Sequence, residues 1–576
     1  MMKRIASGLL LICLLGLNSF SQSTGPRVQF TDITDLSGLG TFRHVGGSLE
    51  KRYILETTSS GVALFDYDRD GWLDVYLVNG GNLQMLREQK LAATHKLFRN
   101  RRDGRFEDVT TKAGVGGNGA WGQGVAVADV DNDGWDDLYV TNFGPNILYR
   151  NNGDGTFTDV TRKAGVADPR YSTGAAFGDY DGDGDLDLFV ANYVELDLNN
   201  LPEHGGTNPI GANFCMFRGV PVMCGPRGLK GAGDTLYQNN GDGTFTDVSR
   251  KAGVDDAKGY YGFQPVWCDF DNDGDLDLYV ANDSTPNYFY QNNGDGTFKE
   301  IGYPSGTAVN EEGREQAGMG VAVGDYDGDG LMDIYVTNFS DDTNTLYHNE
   351  GRNQFTDVTY PSGHGETTLA SLGWGTAFFD FDNDGDLDLF AANGHVYPQV
   401  DKHDFGTSYK QRNLLFENVG RGRFVEVGRQ AGPGLSLIKC SRGAAFGDID
   451  NDGDVDIVIN NIDDTPTVLR NDGGNKNNWL TLNLVGAKMN RRAVNARVRL
   501  RIGQRWQMAD VFSGSSYLSQ NDFRLHFGLG AASTVDEIEI RWPNGTRSNL
   551  RDVKPNQLLN VKQPDVQPKA TRRGSA

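Results

Sequence analysis

One nine-residue pattern recurs seven times along the chain and leaves few folds open to it. Its third copy lies in Gly174 to Asn192, GAAFGDYDGDGDLDLFVAN. A small apolar run leads into Asp179, Asp181, Asp183 and Asp187, with Gly184 after the third carboxylate, and Leu186–Val190 is apolar again. Carboxylates at positions 1, 3, 5 and 9 of a tight loop repel one another unless a cation joins them. A hard ion that takes roughly six to eight oxygens, Ca²⁺ above all, removes that cost. Glycine at position 6 permits the sharp turn, and the position-7 carbonyl of Asp185 can add a ligand. Position 12 is Val190 rather than the Glu of an EF-hand, and the flanks read as strands.

The other copies place their carboxylates at Asp66, Asp68, Asp70 and Asp74; Asp129, Asp131, Asp133 and Asp137; Asp269, Asp271, Asp273 and Asp277; Asp325, Asp327, Asp329 and Asp333; Asp380, Asp382, Asp384 and Asp388; and Asp448, Asp450, Asp452 and Asp456. All seven keep Gly at position 6. One copy alone also admits an acidic surface turn, as the less favoured reading. Seven at one spacing read as metal loops, for up to seven Ca²⁺ ions.

A second unit follows each loop, clearest in LYRNNGDGTFTDVTRKAGV from Leu148 and LYQNNGDGTFTDVSRKAGV from Leu236. Asn-Gly and Asp-Gly between short alternating runs signal a hairpin. Each repeat is therefore four strands, and seven repeats describe an all-β, seven-bladed propeller with its small-residue strand innermost. The last repeat lacks an outer strand, whereas Phe30–Thr34 reads as an outer strand with nothing before it. These two are expected to pair, Phe30–Thr34 on Thr467–Asn471, and close the ring. The second strand ends in Asn79, Asn142, Asn192, Asn282, Asn338, Asn393 and Asn460, read as satisfying backbone groups at blade junctions. Insertions at 80–95, 193–233 and 394–412 all follow a second strand, so all should emerge on one face.

Past about Asn475 the repeat stops. Residues 475–564 alternate as strands and read as a small β-sandwich-like domain. The remaining boundaries are a signal peptide at 1–21, the propeller at 28–474 and a disordered tail at 565–576. Lys3 and Arg4 precede an apolar stretch, Leu9–Leu17, too short to span a bilayer, with Ser19 and Ser21 placed for cleavage near Gln22. The net charge of −23 argues against nucleic acid as a main partner. Residues 475–576 hold 17 Lys or Arg against 7 Asp or Glu, a net +10 that leaves −33 elsewhere. That asymmetry suits docking of the small domain on the propeller, binding of an acidic polymer, or simply a solvated basic surface. Cys215 and Cys224 are expected to form a disulfide in the long insertion, with Cys268 and Cys440 as separate buried thiols.

The repeats resemble the FG-GAP/VCBS family, which also supplies the Ca²⁺-binding blades of integrin α-chain heads. The C-terminal segment resembles the ASPIC/UnbV domain through Leu484-Val485-Gly486, Ala496-Arg497-Val498, Tyr517-Leu518-Ser519-Gln520, His526-Phe527-Gly528-Leu529-Gly530 and Arg541-Trp542-Pro543-Asn544-Gly545. It departs at Asn495, where the family usually has Gly before Ala-Arg-Val. The combination resembles the cartilage acidic protein-like family of secreted proteins. The resemblance implies extracellular, Ca²⁺-dependent binding or adhesion to a protein or glycan, and no established reaction.

No phosphate loop, GxSxG, HExxH or zinc spacing occurs. A secreted or periplasmic, non-catalytic binding protein without a transmembrane segment is the first reading. A lyase or hydrolase acting on an extracellular polysaccharide or small molecule is the alternative. A structural part of an envelope assembly is the third. Arg43, His44, Lys51 and Glu56 form the one charged set apart from the loops, read as a salt-bridged connector or as part of a site near His395.

Overall fold

A computed structural model describes residues 28–88, 94–202 and 215–565. The leader and all but the first residue of the polar tail lie outside them. Each repeat folds as a four-stranded antiparallel sheet. In the third, Ser172–Gly178 pairs with Asp187–Asn192, which pairs with Thr235–Asn239, which pairs with Phe245–Asp247. The other innermost strands are Val62–Phe65, Trp121–Ala128, Gly262–Cys268, Val321–Gly324, Gly373–Phe379 and Ser441–Gly447. Each packs on the next, and Ser441–Gly447 packs on Val62–Phe65, so seven sheets close into a β-propeller. Small residues allow the crowding at the axis. A Cβ at Gly320 would lie 2.0 Å from the Trp374 carbonyl oxygen of the next blade.

The ring closes as the strand count requires. Gln29–Asp32 pairs antiparallel with Thr467–Asp472, with Phe30 opposite Asn471. The Phe30 ring is fully buried beside Phe381 and Leu469. Phe30→Ala should therefore cost about 3–5 kcal/mol in a single cooperative melt. A local fraying that left the main transition in place would contradict closure by this strand.

The three insertions do converge on one face. Arg87 of the first donates to the Leu198 carbonyl of the third-blade insertion at 2.8 Å, and Arg218 of the latter reaches the Phe405 carbonyl of the sixth-blade insertion at 2.6 Å. A disulfide joins Cys215 and Cys224 around the hairpin Met216–Phe217/Val220–Pro221, while Cys268 and Cys440 are free and buried. The charged set before the first blade is a connector. Lys51 pairs with Asp463 of the seventh blade at 2.5 Å, and Glu56 accepts from the Ser48, Arg52 and Tyr53 amides.

Beyond the ring, Leu525–Gly530, Asn478–Val485 and Gln557–Lys562 form one sheet, and Arg505–Asp510, Arg497–Ile502, Val535–Arg541 and Arg547–Val553 form another. Their shared core buries Leu480, Leu482, Val498, Ile538 and Trp542. Asn495 adopts φ 65°, the left-handed conformation that Gly would take and that Asn tolerates.

Residues 511–522 of this domain run into the centre of the propeller. Gln520 exchanges backbone bonds with Val62 and Leu64, Val125 donates to Leu518, and Ser516 exchanges bonds with Val321. Ser513 bridges Phe177, Gln264 accepts from the Leu518 amide, Thr376 donates to Ser516, and Asp522 donates to the Phe446 carbonyl. All seven innermost strands are thus touched, and backbone groups that would otherwise line an open channel find partners. Tyr517 at the tip is fully buried and donates to the Thr58 carbonyl at 2.7 Å.

Candidate metal centres

The nine-residue loops join first and second strands, on the face opposite the insertions. Their geometry repeats. The position-6 glycine N–H donates to one oxygen of the position-1 Asp in every loop, at 2.7–3.1 Å. The position-9 Asp opens the second strand, where an amide of the third strand donates to it at 2.7–2.9 Å. Oxygens of Asp66, Asp68 and Asp70, of Asp129, Asp131 and Asp137, of Asp179, Asp181 and Asp187, and of Asp269, Asp271 and Asp273 lie within 4.8 Å of one another.

The second position-1 oxygen differs between loops: in Asp66, Asp380 and Asp448 it accepts the position-5 amide at 2.9–3.2 Å, and in the other four it has no donor. Oδ1 of Asp129, Asp179, Asp269 and Asp325 is buried and receives no hydrogen bond. A buried carboxylate oxygen without a donor is costly, and a cation among neighbouring carboxylates is the partner that suits it. The side chains feel the same lack. Burial first, then repulsion from neighbouring aspartates, pushes Asp129, Asp179 and Asp325 up to about 7. Burial pushes Asp277 to about 8 against a bond from Asn292. The donor set is all oxygen, as Ca²⁺ requires.

The loops are not equivalent, because the third-strand residue two after its Leu or Phe points at each. Arg99 reaches Asp68 at 2.6 Å, and Arg150 reaches Asp131 and Asp133 at 2.5 and 2.6 Å. Gln238 donates to Asp181 at 2.6 Å, and His348 lies 3.2 Å from Asp333, which holds its imidazole up near 9. In the sixth blade the residue is Glu417, raised by burial and by Asp384. Blades one and two thus carry their own partial counter-ion, as does blade seven through Arg470 beside Asp450 and Asp456, whereas the third strands of blades three, four and six supply none.

A conserved geometry within the chain also corrects the reading of the asparagines. The Asn closing the second strand mostly binds its own blade's next loop, as when Asn192 donates to Gly233 and Asn282 to Pro286. In the seventh blade that residue is Asn461, which donates to Thr465. Asn460, one residue earlier, crosses instead to Gly61 and Val78 of the first blade. The general blade-junction residue is on the third strand. Asn100, Asn151, Asn239, Asn292, Asn349, Asn418 and Asn471 each donate to the position-2 carbonyl of the preceding blade's loop, at 2.7–3.0 Å. The loops are therefore stitched together around the ring. Asn349→Ala removes donors to both Phe270 and Met332 and should cost about 2–3 kcal/mol by denaturant melt, against little for exposed Asn152→Ala.

The same loops form the seat of the C-terminal domain. Arg492 holds Asp136 through two bonds of 2.6 and 2.5 Å, Arg541 reaches Asp269 at 2.6 Å, and Arg505 reaches Asp386 at 2.6 Å. His526 bonds Asn383 at 2.6 Å, and Arg524 bonds Asn451 at 2.8 Å. Trp479 lies against Gly453, where a Cβ would fall 1.9 Å from its indole and φ is already 99°. The basic domain is thus docked on the acidic loop face, which resolves the charge asymmetry in favour of docking.

The comparisons agree with this architecture. The FG-GAP-like repeat model matches residues 66–140, 129–190, 228–280, 269–336 and 325–391, and the ASPIC and UnbV model matches 486–568. Cartilage acidic protein 1 of Xenopus tropicalis is 24% identical over 543 residues, 88% of this chain and 73% of that protein. The Homo sapiens protein is 25% identical over 538 residues, 88% and 72%. An Agrocybe aegerita lectin structure, described as recognising non-reducing terminal N-acetylglucosamine, covers 77% of this chain and 94% of its own at 16% identity. Its TM-score of 0.38 carries no argument about the site. With repeats and terminal domain both matched, the chain belongs to the FG-GAP-like repeat family that ends in an ASPIC and UnbV domain, the family of cartilage acidic protein 1.

Proposed function

We propose that the chain is an exported, Ca²⁺-stabilised binding protein whose metal loops both hold the ring and seat the C-terminal domain. The donorless, buried Oδ1 of Asp129, Asp179, Asp269 and Asp325 carries the metal reading. Export is supported by the disulfide, which persists in oxidising compartments. No helix among the described residues is long and apolar enough to cross a membrane. The aspartates at positions 1, 3, 5 and 9 of the seven loops supply the ligands, in sets of four with the position-7 carbonyl. The loops grade by charge. Those facing Gln238 and Glu417 bind Ca²⁺ most tightly, those facing Arg99 and Arg150 least, and the fourth, whose Asp269 is held by Arg541, lies between.

The grading is testable. Arg150→Gln should tighten Ca²⁺ binding by roughly tenfold at one site, whereas Glu417→Gln should weaken one site by a similar factor, both read by calorimetric titration. Unchanged isotherms in both variants would remove the grading. A screen of the purified protein on a glycan array and on lyase and hydrolase substrates separates binding from turnover. Retention of a ligand without product is the expected outcome.

A further inference from the structure

We propose that the mouth of the central channel on the insertion face is a binding site for a small organic ammonium ion. A cavity of about 220 Å³ opens there, lined by residues of several blades and of the long insertion. That is room for about seven water-sized groups. Its walls are aromatic on three sides. Tyr193 and Phe263 stack at 4.6 Å on one, and Phe217, Phe339 and Tyr397 meet at 5.5–6.0 Å on another. Trp374 closes the base, with Tyr517 of the central plug 4.8 Å behind it.

The hairpin that supplies Phe217 is held in place. The Cys215–Cys224 disulfide closes its base, and Arg218 is clamped by Asp341 and the Phe405 carbonyl. Phe217 is therefore a fixed wall of the site.

Apart from Arg227, the polar groups at this mouth are acceptors rather than donors. The hydroxyls of Thr57, Thr58 and Ser284 already donate to the Ile54 carbonyl, to Gln123 and to Asp283, and the Tyr193 hydroxyl also donates to Asp283. Asp342 is half-buried at the cavity, and Arg314 and Arg227 are the positive charges that act on it. A neutral sugar needs donors and acceptors in mixture, and this lining offers chiefly carboxylates over aromatic faces. That combination suits a positive, weakly hydrated head group held by cation–π contact.

Three carboxylates, Asp283, Glu315 and Asp342, line the cavity against one guanidinium, Arg227, which acts on Asp283 and, with Arg314, on Asp342, so the positive charge offsets them only in part. Arg227 lies 3.9 Å from Glu315, and Arg314 pairs with Glu312, both among exposed residues. Arg442 is fully buried behind Trp374, 4.0 Å over its ring, and donates to the carbonyls of Thr57, Gly394 and Ser441. It shows that this wall already carries one cation–π contact, while its own charge is spread over carbonyls.

The probe pair is choline and its neutral isostere 3,3-dimethylbutan-1-ol, titrated against the full chain in saturating Ca²⁺ by calorimetry. Choline should bind with a Kd of about 1 mM or tighter, and the alcohol at least about tenfold more weakly. Asp342→Asn and Asp283→Asn should each weaken choline by about threefold to tenfold and leave the alcohol unchanged. Asp342 sits at the rim and is the variant least exposed to folding defects. Equal affinity for the two probes, binding of neither at about 20 mM, or choline binding untouched by both substitutions would overturn the proposal. Because Ca²⁺ is present throughout, failure here leaves the reading of the metal loops intact.

Discussion

Stripping divalent ions from the full chain over a chelating resin should lower its melting midpoint by on the order of 10 °C or more. Each site filled at a hundred times its dissociation constant contributes about 2.7 kcal/mol, and several loops act together because the third-strand asparagines stitch them. Returning Ca²⁺ should restore the midpoint, and Mg²⁺ should do so less well, since it demands a tighter octahedral shell. The pH dependence should change sign with the metal. In the metal-free chain Asp129, Asp179, Asp325 and Asp448 are raised to about 7 and Asp277 to about 8, burial being the main cause. The folded chain then holds protons that the unfolded chain has released between about pH 4 and 8. Its stability falls as pH rises through that window, so metal-free protein should melt higher at pH 5.5 than at pH 8. With Ca²⁺ the carboxylates are held as anions, and the order should reverse. Melts at both pH values, with and without Ca²⁺, check this; a pH dependence unaffected by metal would count against it.

Tyr517→Ala should destabilise the chain by about 3–5 kcal/mol, the cost of emptying a fully buried aromatic site. Tyr517→Phe, which loses only the bond to Thr58, should cost nearer 1 kcal/mol. The larger variant should also speed amide exchange in the innermost strands of all seven blades, because residues 511–522 bond to every one of them. Faster exchange confined to the C-terminal sheets would mean that the plug is an ornament of that domain and not a part of the propeller.

Much of the fold is written locally. The DxDxDG spacing, the tight hairpins and the orphan strand at Phe30 each depend on residues a few places apart, and the closure at Asn471 follows from counting strands. What escaped is what depends on partners far along the chain. The asparagine that ends the third strand looks like hairpin furniture until Asn349 is seen to reach Phe270 of the blade before. Asn460 and Asn461 are adjacent, and one step in register exchanges a loop contact for a blade contact. The residue opposite each loop, Arg150 or Glu417, was readable in principle, since it alternates with buried neighbours and must face the adjacent loop. The serine-rich run before Tyr517 carries no periodicity. Its partners are the innermost strands of seven blades, so no local signal marks it as the axis of the ring. The charge split left docking, an acidic polymer and a solvated surface equally open, and only the geometry chooses docking, through Arg492 with Asp136 and Arg541 with Asp269.

The most direct measurement is the calcium content of the purified full chain after exhaustive dialysis, by elemental analysis against protein concentration. Several Ca²⁺ ions per chain are expected, and Asp181→Asn with Asp183→Asn in the third loop should remove one while the others stay. Calcium no higher than in the dialysis buffer, or a content unchanged by the double substitution, would contradict the assignment of these loops as metal centres.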